Sequence, residues 1–127
     1  SAELREELER AVENTASNTG LTLGIAFDYG GRAEIANAAR QMIEDGVPID
    51  EINESKFVEY LYTADMPDVD LLIRTGGDFR ISNFLLWQTA YSEFYTSETW
   101  WPDFYDEHID MAFESFNERN RRFGKRI

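Results

Sequence analysis

A chain of 127 residues has room for one domain with a modest core. Its 43% hydrophobic and 14% aromatic content argues against disorder, and the absence of cysteine excludes a disulfide scaffold, a thiol nucleophile and a cysteine-based zinc site. The formal net charge of −13 excludes a general nucleic-acid binder, which needs a basic surface, yet leaves room for a local basic pocket around a small phosphorylated ligand.

No apolar run approaches the length of a membrane span, and Ser1 to Arg10 is charged and helix-like rather than a signal sequence. Leu4, Leu8 and Val12 recur every four residues and predict an amphipathic helix ending near Asn18-Thr19-Gly20. Leu21 to Phe27 reads as a strand with Leu23, Ile25 and Phe27 on one face. Gly30-Gly31 breaks it, and a second helix follows with Ile35, Ala39, Met42 and Ile43 as its stripe, stopping near Gly46 and Pro48. Asn53 is placed to cap a third, short helix marked by Phe57 and Leu61. Asn53-Glu54-Ser55 also has the spacing of a glycosylation sequon, which is taken as chance.

Val69 to Ile73 is a short apolar run of the kind found in strands covered on both faces. Arg74 to Asp78 is a turn, and Ser82 caps Phe84-Leu85-Leu86-Trp87, a segment apolar all round and therefore expected as a buried helix. Glu93 to Thr96 is a final short strand. A closing helix carries Ile109, Phe113, Phe116 and Phe123 on one side, with His108 expected as a solvated helix residue. Strands alternating with helices give an α/β fold, a parallel sheet with helices packed on it. With only two or three strands the sheet is incomplete, and the chain reads as part of something larger.

In an open parallel sheet, ligands gather beyond the carboxyl ends of the strands, where Gly30-Gly31-Arg32 and Arg74-Thr75-Gly76-Gly77 both fall. Arg74 and Arg80 bracket the second turn with bidentate donors, and Ser82 and Asn83 stand at the expected start of the next helix, a position that favours an anion. Together they make a diphosphate-sized site. The competing reading pairs both arginines with some of the 25 acidic side chains and leaves the glycines as a mere turn. Glu93 and Asp78 are the carboxylates best placed for a divalent cation. Trp87 and Tyr91 are read as core, Trp100, Trp101, Phe104 and Tyr105 as either core or subunit contact, and the basic cluster from Arg119 to Arg126 as favourable charge at a helix end.

Tyr29-Gly30-Gly31-Arg32, the run from Asp70 to Gln88, Ala90-Tyr91-Ser92-Glu93-Phe94, Trp101-Pro102-Asp103-Phe104 and Arg121-Arg122-Phe123-Gly124 together resemble the cis-prenyltransferase family, whose undecaprenyl diphosphate synthases are the nearest type. The resemblance covers nearly the whole chain and implies that residues 1–127 are the C-terminal part of a single domain whose N-terminal half is absent. It implies condensation of isopentenyl diphosphate with an allylic, farnesyl-type diphosphate to give a cis-polyprenyl diphosphate, with Mg2+, in a cytoplasmic homodimer whose product associates with membranes. By the same resemblance Arg74, Arg80 and Ser82 hold the isopentenyl diphosphate head group. Glu93 is a metal-associated carboxylate reaching across the dimer, Arg122-Phe123-Gly124 lies near the partner's active site, and Asp78, Asn83 and Gly124 give support.

Departures from the family pattern matter as much. The family's Asp-Gly-Asn-Gly-Arg loop, which supplies the catalytic aspartate and cradles the allylic substrate, is absent, so no catalytic residue is assigned in this chain. Asp78 replaces the usual glutamate, Asp28 a common asparagine, and Phe79 stands where some relatives carry a histidine. Two readings therefore compete. One is a truncated piece of an enzyme, inactive alone, which the start at Ser1-Ala2 without methionine favours. The other is a non-catalytic binding or dimerisation module of the same fold. On either reading the uncovered apolar surface is expected to cause self-association.

Overall fold

The computed structural model describes residues 1–119, so Phe123 and the Arg122-Phe123-Gly124 element lie outside the described residues. Ser1 caps the first helix, its hydroxyl accepting the Leu4 amide at 3.3 Å, and α1 runs Ala2–Thr15. The Leu4, Leu8, Val12 stripe is present, yet no residue of α1 is buried.

Leu21 to Phe27 corrects the expectation of a strand. The segment pairs with no neighbour among the described residues, and its apolar side chains stand in solvent, from Leu21 at 93% to Phe27 at 68% exposed. Alternation gives a segment a face, but a strand exists only beside a hydrogen-bonding partner. Helix α2, Gly31–Glu44, turns Gly31, Glu34, Ala38 and Met42 inward rather than the stripe running through Ile35 and Ile43. The face is rotated because Glu34 has polar partners inside, and Ile43 is left exposed. Helix α3, Glu54–Val58, starts as expected, with Asn53 Oδ1 accepting the Lys56 amide at 2.9 Å.

The sheet among the described residues is a parallel pair, β1 Leu71–Thr75 and β2 Glu93–Ser97, with Leu71 opposite Glu93 and Arg74 opposite Thr96. β1 lies two residues later than the apolar run indicates, so the turn begins at Gly76 and Gly77, whose φ angles of 87° and 80° suit glycine. The expected buried helix after Ser82 is also corrected. Residues 82–90 form successive turns and bends, with Ser82, Asn83 and Leu85 at φ of 49°, 64° and 45°, which a right-handed helix cannot contain. Within them Trp87 packs on Phe57, ring centroids 4.6 Å apart.

A short 3-10 turn at Trp101–Asp103 leads to α4, Asp106–Asn117, which packs on β2 and buries Ala112. His108 is a cap rather than a merely solvated residue, its Nδ1 accepting the Tyr105 amide at 3.1 Å. Trp100 and Trp101 are not core, being 71% and 75% exposed. The buried apolar residues, Ala38, Met42, Leu61, Leu72 and Ala112, form a thin core. Among the described residues no helix is long and apolar enough to cross a membrane.

Candidate functional site

β1 delivers Arg74 at its carboxyl end, and the glycine turn folds residues 78–82 back over the guanidinium. Arg74 Nη1 donates to the Arg80 carbonyl at 2.7 Å and to Ser82 Oγ at 3.0 Å, while Nη2 lies 3.4 Å from Asp78 Oδ2. Arg80 Nη2 reaches the same Asp78 oxygen at 2.5 Å. Of the sequence-expected group, Arg74, Arg80 and Ser82 are thus brought together around a cavity of about 170 Å³, walled also by Leu72, Ile73, Ile81 and Phe84, while Asp78 pairs with both guanidiniums without lining it. Arg74 Nε is buried with no hydrogen-bond acceptor. The competing reading of the arginines is half right, because Asp78 pairs with both. Two guanidiniums against one carboxylate still leave a net positive pocket, matched to an anion with several acceptor oxygens.

Asn83 does a different job from the one expected. No helix begins there, so no helix N-terminus presents free amides to an anion. Its carbonyl instead accepts the Gly31 amide at 2.8 Å and its Oδ1 the Arg32 amide at 2.9 Å, which caps α2 from 51 residues away. The contact needs Gly31, where an added Cβ would meet Leu86 Cγ at 2.9 Å and the Asn83 carbonyl at 3.2 Å. The two glycine loops are therefore one assembly, with Ser82 fixed to the start of α2 through its neighbour.

Beneath this assembly sits a polar cluster that sequence reasoning missed. Glu34 is 0% exposed. It accepts hydrogen bonds from the Tyr62 amide at 2.9 Å, from Gln88 Nε2 at 3.1 and 3.2 Å, and from the Tyr29 hydroxyl; Gln88 Nε2 also reaches Thr63 Oγ1 at 2.9 Å. Burial, then the hydrogen bond to Glu34, holds the Tyr29 hydroxyl well above the ordinary tyrosine range. The available signal was a glutamate in register with Ala38 and Met42 on the inner face of α2.

Glu93 is not brought to the arginines. It opens β2 opposite Leu71, three residues before the position opposite Arg74, or about 10 Å along the strand. There Glu93 Oε2 accepts from Arg119 Nη1 at 3.0 Å, and the same nitrogen donates to the Phe94 carbonyl at 2.9 Å. Among the described residues no group of three or more His, Cys, Asp or Glu side chains could hold a metal ion. One carboxylate with a diphosphate is nonetheless a donor set that suits magnesium. A larger cavity of about 420 Å³ lies under Trp87 and Tyr91, with Glu54 and Asp68 on its wall and no cation, so it does not suit a diphosphate.

The prenyltransferase family model, described as undecaprenyl diphosphate synthase, matches residues 1–124. The isoprenyl transferase of Fusobacterium nucleatum is 54% identical over 121 residues, covering 95% of this chain and 51% of that protein. The isoprenyl transferase of Clostridium tetani is 50% identical over 123 residues, with coverages of 94% and 48%. Lavandulyl diphosphate synthase from Lavandula x intermedia, solved in complex with dimethylallyl diphosphate, superposes with a TM-score of 0.94 at 36% identity, covering 98% of this chain and 56% of its own. A probable undecaprenyl diphosphate synthase from Campylobacter jejuni gives 0.87 at 37% identity, with 98% and 58% covered. The chain spans about half the length of the curated relatives it matches.

Proposed function

The chain belongs to the prenyltransferase family described as undecaprenyl diphosphate synthase, and from that premise we propose that residues 1–127 are the C-terminal part of a cis-prenyltransferase domain and carry its isopentenyl diphosphate site. The observation that carries this reading is the convergence of Arg74, Arg80 and Ser82 on one cavity at the carboxyl end of β1, with Asp78 bonded to both guanidiniums. The whole domain would join isopentenyl diphosphate to an allylic, farnesyl-type diphosphate. One carbon–carbon bond forms, the allylic carbon–oxygen bond breaks to release diphosphate, and a proton leaves the extended chain.

In this account Arg74 and Arg80 bind the diphosphate that is retained by isopentenyl diphosphate, and the Ser82 hydroxyl donates to one of its oxygens. Their task is placement, fixing the alkene relative to the electrophilic carbon, for which a preformed turn is suited. Arg74 is already held from two sides, by the Arg80 carbonyl and Ser82, so little reorganisation precedes binding. Glu93 would hold Mg2+, which when bound neutralises diphosphate oxygens. Its distance from Arg74 within one chain supports service to the site of a second copy in a homodimer. The enzyme is proposed to be cytoplasmic, its product alone partitioning to membranes.

The competing reading, a non-catalytic binding or dimerisation module, draws on the exposed Trp100 and Trp101. A chimera separates the two. The portion of the Fusobacterium nucleatum isoprenyl transferase that this chain does not match would be joined to residues 1–127 and given labelled isopentenyl diphosphate, farnesyl diphosphate and magnesium. Label should enter a polyprenyl product, and Arg74→Ala should cut the rate at least about tenfold, as expected for loss of a charge-assisted contact. A folded chimera that makes no product would establish the module instead.

A further inference from the structure

Glu93 is fixed from two sides. Its amide donates to the Asp70 carbonyl at 2.9 Å, which pins the backbone to the residue before β1. Its side chain, 25% exposed, gives Oε2 to Arg119 Nη1 at 3.0 Å. Arg119 stands two residues beyond α4, its amide donating to the Phe116 carbonyl at 3.1 Å, and α4 itself packs on β2. The guanidinium does not depend on Glu93 for its place. Nη1 also donates to the Phe94 carbonyl at 2.9 Å, and Nη2 lies 3.5 Å from Ser115 Oγ.

An ion pair between two free side chains at the surface holds neither of them firmly. This pair differs because a strand carbonyl, which cannot rotate away, is its third member. Glu93 Oε2 is therefore engaged, while Oε1 accepts no hydrogen bond from any of the described residues. A carboxylate in that state offers a cation one oxygen and not two. The difference matters between ions. Mg2+ demands a near-octahedral shell at about 2.0–2.1 Å, keeps several waters and is served by a single carboxylate oxygen. Ca2+ takes about 6–8 oxygens at about 2.3–2.6 Å and readily uses both oxygens of one carboxylate.

We infer that Arg119 is a positioning residue for cation selectivity: it withholds Glu93 Oε2, so the carboxylate binds through Oε1 alone and favours Mg2+ over Ca2+. The inference rests on the proposed role of Glu93 as the metal carboxylate and adds to it what the neighbouring arginine does. The guanidinium also has an effect common to both ions, since its positive charge weakens their attraction to Glu93. That effect makes the diphosphate oxygens necessary partners in binding, and it changes the two affinities without changing their ratio. The ratio is thus the quantity that reports the withheld oxygen.

The test follows Mn2+ by water-proton relaxation on residues 1–127 saturated with isopentenyl diphosphate, and displaces it with Mg2+ or with Ca2+. Glu93→Gln should weaken Mn2+ binding at least about tenfold. Arg119→Met keeps the stem and removes the donors; it should lower the preference for Mg2+ over Ca2+ at least about fivefold, chiefly by tightening Ca2+. Arg119→Lys should retain most of the preference, because one nitrogen makes both the Glu93 and the Phe94 contacts. Arg119→Gln, which keeps an N–H for the Phe94 carbonyl, replaces the methionine variant if that one does not fold. Equal Mn2+ binding by Glu93→Gln, or none by the unaltered chain, overturns the metal reading of Glu93 and the inference with it. Loss of Mn2+ in Glu93→Gln, with Mg2+ and Ca2+ shifted by the same factor in Arg119→Met, leaves that reading standing and overturns the inference alone.

Discussion

Asp78 shares one oxygen between Arg74 and Arg80, while Glu34 collects donors from three parts of the chain; the two carboxylates define what single residues contribute. Replacing Glu34 with alanine leaves the Tyr62 amide without its acceptor inside the molecule and the Gln88 amide nitrogen with Thr63 Oγ1 alone. The expected cost is about 3 kcal/mol, at about 1–3 kcal/mol per stranded buried group, read as a lowered urea midpoint. Tyr29 in the same cluster makes stability pH-dependent with a defined sign. Its proton is held more tightly in the folded chain than at the ordinary value of 10.0, for burial disfavours the phenolate and Glu34 accepts its hydrogen bond. Stability from this group is fully present below that value and is lost as the pH rises above it, because the unfolded chain then binds fewer protons. Urea midpoints followed from about pH 8 to about pH 11 should lose this contribution only above about pH 10, and fall less steeply there in Tyr29→Phe.

At the scale of elements, Asn83 links the anion pocket to α2. Asn83→Ala removes its side-chain cap and places alanine at a φ of 64°, together costing about 2 kcal/mol. Asn83→Gly keeps the backbone and should cost about half as much by the same reasoning. Both should weaken isopentenyl diphosphate binding in proportion, since Ser82 moves with its neighbour; thermal melts and titrations of the pair check this. The same residue shows where the sequence was legible. α1 could be read from the four-residue spacing of Leu4, Leu8 and Val12, and α3 from Asn53, which caps it within three residues; both relations are local. The turns at 82–90 could not, because Asn83 is held by an element 51 residues away and four apolar residues in a row look like a buried helix. Segment 21–27 misled for a related reason: its alternation is real, but no partner among the described residues pairs with it. The arginine pocket was legible because Arg74, Asp78, Arg80 and Ser82 meet within one turn. Glu34 was hidden, its partners Tyr62, Thr63 and Gln88 being far away in sequence.

The whole molecule has more apolar surface than its thin core can use. Leu4, Leu8 and Val12 on α1, the side chains of segment 21–27, and Trp100 and Trp101 are all exposed. Surface of this extent drives association. Residues 1–127 alone should therefore sediment as dimers or larger species, and a monodisperse monomer in solution scattering would count against this. The central claim for this half is that it recognises the diphosphate by itself.

Calorimetric titration with isopentenyl diphosphate, with and without magnesium, tests that claim most directly, set beside a variant carrying Arg74→Ala and Arg80→Ala. The account predicts saturable binding that disappears in the variant while its circular dichroism is unchanged. Binding of equal strength in both proteins, or none to a folded chain, would contradict it.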